Sequence, residues 1–144
     1  PTEAGYAFAV KLTKPSFVGK DGYARRAVPP RRRLLRLRGQ GRRSVRAGHV
    51  ILDEAGRGAG VVTSFAFCDD TFGFHVLAAV RRDFDPPVGQ TVSAARVGPA
   101  EALGRIDEAK IVGLTVLERF PTPGERENWK TLYGAASAAP RDMV

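Results

Sequence analysis

The sequence has very few of the side chains from which disulfides and metal centres are built: of its 144 residues, one is cysteine and two are histidine. A single thiol, Cys68, cannot form an internal disulfide or a cysteine-based metal cluster, which is typical of a reducing compartment such as the cytoplasm or the mitochondrial matrix. His49 and His75 lie in separate apolar segments, and a zinc site made from them would need two further ligands. We therefore predict that the chain binds no metal.

Long apolar runs are absent as well. None approaches the roughly 20 residues that a membrane-spanning helix needs, so we predict that the protein is not an integral membrane protein and has no membrane partner. The sequence has no segment of the signal-peptide kind and opens on Pro1 rather than methionine. We expect it to be a fragment or a processed form of something longer.

Candidates for catalysis are equally scarce. Asp69–Asp70 stands between two predicted strands, where paired aspartates usually form a turn. Cys68 ends a strand with no base beside it in the sequence, which favours a structural thiol over a nucleophile. The three glycines of Gly56–Gly60 link two strands rather than a strand and a helix, so they lack the context of a phosphate-binding loop. We assign no catalytic residue.

Extended segments are what the sequence does contain. Ala47–Arg82 has the composition of three strands joined by two turns, which predicts an antiparallel meander. Three more strand candidates are Arg31–Arg38, Gln90–Val97 and Ile111–Phe120. Because the open edges of such a sheet need closing or covering, we predict an all-β fold with little helix: a small antiparallel β-barrel of about six strands.

A lead-in precedes the predicted barrel, and a tail follows it. Tyr6–Lys14 has alternating apolar residues and is predicted to be extended, whereas the segment that begins at Phe17 is predicted to open a short helix. Glycine content and charge predict a loop over 39–48, and proline at position 99 favours a short helix or an irregular excursion over 98–110. The predicted division is 1–30 for the lead-in, 31–120 for the barrel and 121–144 for the tail.

The positive charge is concentrated in one segment. Residues 20–46 contain eleven lysines and arginines and one acid, a net charge of +10, whereas the other 117 residues contain twelve basic and fourteen acidic groups. Such a segment indicates a solvated face, an acidic protein partner, RNA phosphates or a polyanionic cofactor tail. Since only Tyr23 lies among the basic residues, base stacking is not indicated. The candidate contact residues are Arg25, Arg26, Arg31, Arg32, Arg33, Arg36, Arg38, Arg42, Arg43 and Arg46.

Several motifs occur together in the order and spacing of one protein family. Pro1–Val10 resembles "P-x-E-A-G-L-x-F/W-x-V", Phe17–Lys20 resembles the "F-I-G-K" that follows it, and Gly60–Ser64 supplies the most specific motif, "G-x-V-T-S". This set resembles the aminomethyltransferase family, which includes the glycine-cleavage T protein and the folate domains of dimethylglycine and sarcosine dehydrogenases. The resemblance covers roughly residues 1–97 and does not extend to the tail that carries Trp129.

The resemblance implies that this chain is the C-terminal barrel portion of a folate-dependent one-carbon transfer protein. In the family, an N-terminal domain forms most of the tetrahydrofolate pocket, so we expect this chain alone not to bind the cofactor. The implied partner is that N-terminal domain or a separate subunit. No residue matches a catalytic motif of the family, and Lys14–Asp21 lacks the cysteine of the related iron–sulfur assembly factors. The alternative is a non-catalytic barrel subunit of a large assembly, such as a ribonucleoprotein, that docks through its arginine-rich face.

Overall fold

The computed structural model describes residues 1–26, 29–67 and 73–125, and a closed antiparallel barrel of six strands dominates it. Helix α1 (Lys20–Arg25) precedes the barrel, and single 3₁₀ turns lie at Ala7–Ala9, Glu101–Leu103 and Glu108–Lys110. The prediction of an all-β, six-stranded barrel is confirmed. The strands are β1 (Arg32–Gln40), β2 (Val50–Leu52), β3 (Gly58–Phe67), β4 (Gly73–Arg81), β5 (Thr91–Ala95) and β6 (Ile111–Val116), in the spatial order β1-β4-β3-β2-β5-β6.

The alternation of side chains in β1 makes it a barrel wall with one dry face. Leu35 and Leu37 are buried, whereas Arg36 and Arg38 lie on the outer face. Each large apolar side chain buried in this way contributes about 1.5–3 kcal/mol. The interior is filled by side chains from every strand and by Val45 from the loop after β1; the strand residues are Leu35, Leu37, Ile51, Ala59, Val62, Phe74, Val76, Ala78, Val80, Val92, Ala94, Leu114 and Val116.

The lead-in completes the edge of β1 that β6 does not reach. β1 pairs with β4 along its whole length, but with β6 only at Leu37 and Arg38. Nearer the start of β1, the amide of Leu34 donates to the carbonyl oxygen of Glu3 at 3.0 Å. A hydrogen bond of 2.9 Å between the hydroxyls of Thr2 and Tyr23 joins the first residues of the lead-in to α1. The first residues are therefore part of the barrel wall.

The prediction that Tyr6–Lys14 is extended was wrong. A 3₁₀ turn forms at Ala7–Ala9, two residues after Gly5, whose φ of +85° lies in the left-handed region that interrupts a strand. The alternation of aromatic and alanine residues reflects exposed side chains on this turn rather than a strand. The predicted closing strand was too long, since β6 ends at Val116.

The loop predicted over 39–48 was wrong at its start, because Gly39 and Gln40 belong to β1. Gly39 lies opposite Phe74 of β4, and a Cβ built on it would collide with that ring and lie 2.8 Å from Cδ2 of Leu114. Gly60 is similarly constrained, since its Cβ would lie 2.6 Å from the Cα of Val80. Both glycines therefore permit close packing of strands.

The excursion over 98–110 consists of two of the 3₁₀ turns and the chain between them. Within the described ranges, no helix has the length and apolar character that crossing a membrane would require. The division into 1–30, 31–120 and 121–144 stays a prediction, and the Trp129 tail lies outside the described residues.

Replacing Gly39 by alanine tests this packing. We expect the free energy of unfolding to fall by about 1–3 kcal/mol, because the new methyl group must displace the Phe74 ring. Thermal and urea denaturation measure the change. Gly98→Ala is the control, since its Cβ would meet nothing within 4 Å. Equal stability of the two variants would contradict the packing argument.

Candidate functional site

The ten arginines predicted as contact residues lie on three parts of the chain: around α1, on and just before β1, and in the loop after β1. Arg25 ends α1, and Arg26 follows it. Arg31 precedes β1, which carries Arg32, Arg33, Arg36 and Arg38, and the loop after β1 carries Arg42, Arg43 and Arg46.

Arg36 is bonded to the barrel itself. Its guanidinium donates to the carbonyl oxygen of Glu118 and to Oε1 of Glu125, both at 2.9 Å, and its side chain is 13% exposed. Burial opposes ionisation of Glu125, but hydrogen bonds from the Thr122 amide and from Arg36 lower its pKa below the ordinary value. Arg36 therefore holds the segment after β6 against β1.

Other arginines of the set also have partners. Arg33 forms an ion pair with Asp85, and Arg38 and Arg42 each interact with other residues. The remaining six form no ion pair with any residue in 1–26, 29–67 or 73–125, and all six are exposed. They are Arg25, Arg26, Arg31, Arg32, Arg43 and Arg46.

Three of these six line one groove. Arg25, Arg26 and Arg31 surround a groove of about 910 Å³ between the first three residues, α1 and the start of β1. Glu3 contributes the one carboxylate of its lining, and the hydroxyls of Thr2 and Tyr23 meet there. We call this feature the arginine groove.

A second cluster of charges lies around the turn between β2 and β3. Asp53 accepts hydrogen bonds from the amides of Ala55 and Arg57, at 3.0 and 2.9 Å, and from the guanidinium of Arg81 at 3.3 Å. The Arg57 amide does most to lower the pKa of Asp53, burial opposes it, and Arg81 assists. This network closes the turn between β2 and β3 rather than leaving a carboxylate poised for acid–base chemistry.

The two histidines lie in different parts of the chain. His49 accepts a hydrogen bond from the Arg46 amide at its Nδ1, at 3.0 Å, and His75 lies in β4. Burial and the positive charges of Arg96 and Arg46 lower the pKa of His49 below its ordinary value of 6.5. Among the described residues, no three His, Cys, Asp or Glu side chains are grouped so that they could hold a metal. Cys68 and Asp69–Asp70 lie outside those residues.

An exposed aromatic cluster is the feature that the strand prediction missed. Tyr6, Phe8 and Phe120 lie with ring centroids 5.6–6.4 Å apart, and their exposed fractions are 50%, 72% and 38%. The guanidinium of Arg119 lies over Gly5 and 5.9 Å from the Phe120 ring. Three exposed aromatic side chains in contact are typical of a surface that another protein surface covers. The sequence signal for this cluster was a pair of aromatic residues, Tyr6 and Phe8, two positions apart and next to Gly5.

Comparison with known proteins gives a structural likeness. No protein-family model and no curated protein matches the sequence, whereas nine chains of solved structures do. One is the glycine cleavage system aminomethyltransferase T from Bartonella henselae, with a TM-score of 0.62 and 25% identity over 82% of this chain. The chain spans 30% of the length of that protein. The likeness confirms the resemblance that the motifs indicated, and it fits a C-terminal barrel of the family.

Replacing Arg36 by glutamine tests its structural role. We expect the free energy of unfolding to fall by about 1–3 kcal/mol, because the variant loses hydrogen bonds at a largely buried site. Arg32→Gln removes an equal charge from the outer face of the same strand and should change stability by less than about 0.5 kcal/mol. Urea denaturation compares them, and a larger loss for Arg32→Gln would refute the assignment.

The lowered pKa of His49 predicts a pH dependence of stability. In the unfolded chain the ring binds a proton at about 6.5, whereas the folded state disfavours that proton. The stabilisation is therefore complete above the unfolded pKa and is lost as the pH falls through the lower folded pKa. Urea denaturation between pH 7.5 and 5 should show this loss, and His49→Gln should flatten the profile. An unchanged slope in the variant would exclude His49 as its source.

Proposed function

We propose that this chain, which has the barrel fold of the aminomethyltransferase family, is the C-terminal barrel domain of an aminomethyltransferase-like, folate-dependent one-carbon transfer protein. In this role it covers or stabilises a folate pocket that another domain forms. The observation that carries the proposal is the likeness to the Bartonella enzyme, which includes most of this chain but less than a third of that one.

The packing of the barrel supports a covering role rather than a containing one. Leu37, Phe74 and Leu114 meet in the interior and are fully buried. A pteridine ring system does not fit inside a barrel of this size when side chains already fill it. This packing supports a folate pocket that lies outside the barrel interior. Contact with the cofactor would come from the outer surface.

The aromatic cluster of Tyr6, Phe8 and Phe120 supports the presence of a second domain. Tyr6 and Phe8 lie on the lead-in, which is hydrogen-bonded to β1, and Phe120 follows β6, so the cluster is held against the barrel from two sides. Exposed aromatic groups of this size favour association, because removing their apolar surface from water is worth about 25 cal/mol per Å². A folate-type domain packed on this side would bury them.

Calorimetric titration with tetrahydrofolate tests where the pocket lies. We expect the isolated 144-residue chain to bind the cofactor with a dissociation constant weaker than about 1 mM, because its interior has no room for the ring. The positive arm is the same chain expressed together with the folate-type domain that we propose accompanies it. Micromolar binding by the isolated chain would place the pocket here, whereas absence of binding in the joined protein would refute the proposed function.

A further inference from the structure

The arginine groove is a concave site with an excess of positive charge. Its lining includes three guanidinium groups, from Arg25, Arg26 and Arg31, and a single carboxylate, from Glu3. Asp21 adds a second acid on α1 outside this lining. None of the three arginines forms an ion pair with a described residue, and all three are exposed. Like charges placed together without partners destabilise a fold unless something neutralises them.

These arginines differ from the others that the sequence placed with them. Arg36 is hydrogen-bonded to Glu118 and Glu125, and Arg33 forms an ion pair with Asp85. Both therefore serve the barrel. The three groove arginines come instead from α1, from the residue after it and from the residue before β1, and no packing requirement of the barrel accounts for their convergence.

The rest of the groove adds donors and space. The hydroxyls of Thr2 and Tyr23 lie 2.9 Å apart; one donates to the other, and the second is free to donate to an anionic oxygen. Gly19 and Gly22 also line the groove, and a Cβ at either position would meet nothing within 4 Å. The backbone is therefore accessible to a ligand between the arginines.

We propose that the arginine groove binds a ligand that carries two or more adjacent phosphate groups. Guanidinium groups donate two parallel hydrogen bonds to phosphate oxygens, and adjacent phosphates supply enough oxygens for three such groups and a hydroxyl. A single carboxylate would occupy one guanidinium and leave the others unneutralised. The groove is concave, which suits a flexible phosphate chain better than the convex surface of an acidic protein. The proposal is independent of the one-carbon function.

Adjacent phosphates occur both in small pyrophosphate compounds and along a single-stranded nucleic acid. The test therefore has two arms with the 144-residue chain: calorimetry with inorganic pyrophosphate, and fluorescence anisotropy with a labelled oligouridine. Each is run at about 50 and 200 mM salt. Binding of pyrophosphate alone assigns the small-molecule source. Tighter binding of oligouridine, with an affinity that falls steeply with salt, assigns the nucleic-acid source.

Two variants of equal charge separate a site from general electrostatic attraction. The groove variant carries Arg25→Gln, Arg26→Gln and Arg31→Gln, and the control carries Arg43→Gln, Arg46→Gln and Arg105→Gln. All six positions are exposed, and none forms an ion pair with a described residue. We expect the groove variant to lose about tenfold or more in affinity and the control less than about twofold, since each charge-assisted hydrogen bond lost costs roughly tenfold.

Two outcomes overturn the proposal. If the wild-type chain binds neither probe at the lower salt concentration, the groove has no affinity for adjacent phosphates. If both variants lose the same affinity, binding depends on net charge and not on the groove. Circular dichroism and melting temperature should be the same for both variants, so that loss of binding is not loss of folding. Lysine at the three groove positions keeps the charge without the planar fork, and it should restore only part of the affinity.

Discussion

The closed barrel depends on hydrogen bonding along both edges of β1. β4 satisfies one side completely, but β6 reaches only Leu37 and Arg38 on the other. The carbonyl oxygen of Glu3 and the amide of Leu117 supply bonds at the part of the edge that β6 leaves. Because an unpaired edge is a site of unwanted pairing, the lead-in and the segment after β6 are structural necessities of the closed barrel.

Closure in turn requires strands to approach closely. Gly39 makes room for Phe74, and Gly60 allows β3 to lie against the backbone of Val80. Side-chain alternation was sufficient to predict β1, because burial on one face leaves a direct record in the sequence, and apolar composition between turns predicted β4. Glycine content was misleading at Gly39, since a glycine that admits a neighbouring ring looks locally like a glycine that turns the chain. For Tyr6 and Phe8, alternation came from exposed aromatic groups, and nothing local separates that pattern from a strand.

The arginines show that composition predicts where charge is concentrated but not which residues the charged side chains contact. Counting charge located the basic segment correctly, but charge carries no information about partners that are distant in sequence. Arg36 meets Glu125, 89 residues further along the chain, and Arg33 meets Asp85, which follows the neighbouring strand β4. Arg25, Arg26 and Arg31 converge only because the lead-in folds back along β1. The fold decides which arginines of the basic segment support the barrel and which line the arginine groove. The motif resemblance did not predict this division either.

The attachment of Glu3 to Leu34 has a mechanical consequence. Force applied to the first residues reaches the barrel wall through the hydrogen bond between Glu3 and Leu34 at the start of β1. β1 shares two residue pairs with β6 and nine with β4. Under load, we expect the β1–β6 seam to open before the β1–β4 ladder. This seam lies beside the lead-in, through which an upstream domain would transmit force to the barrel.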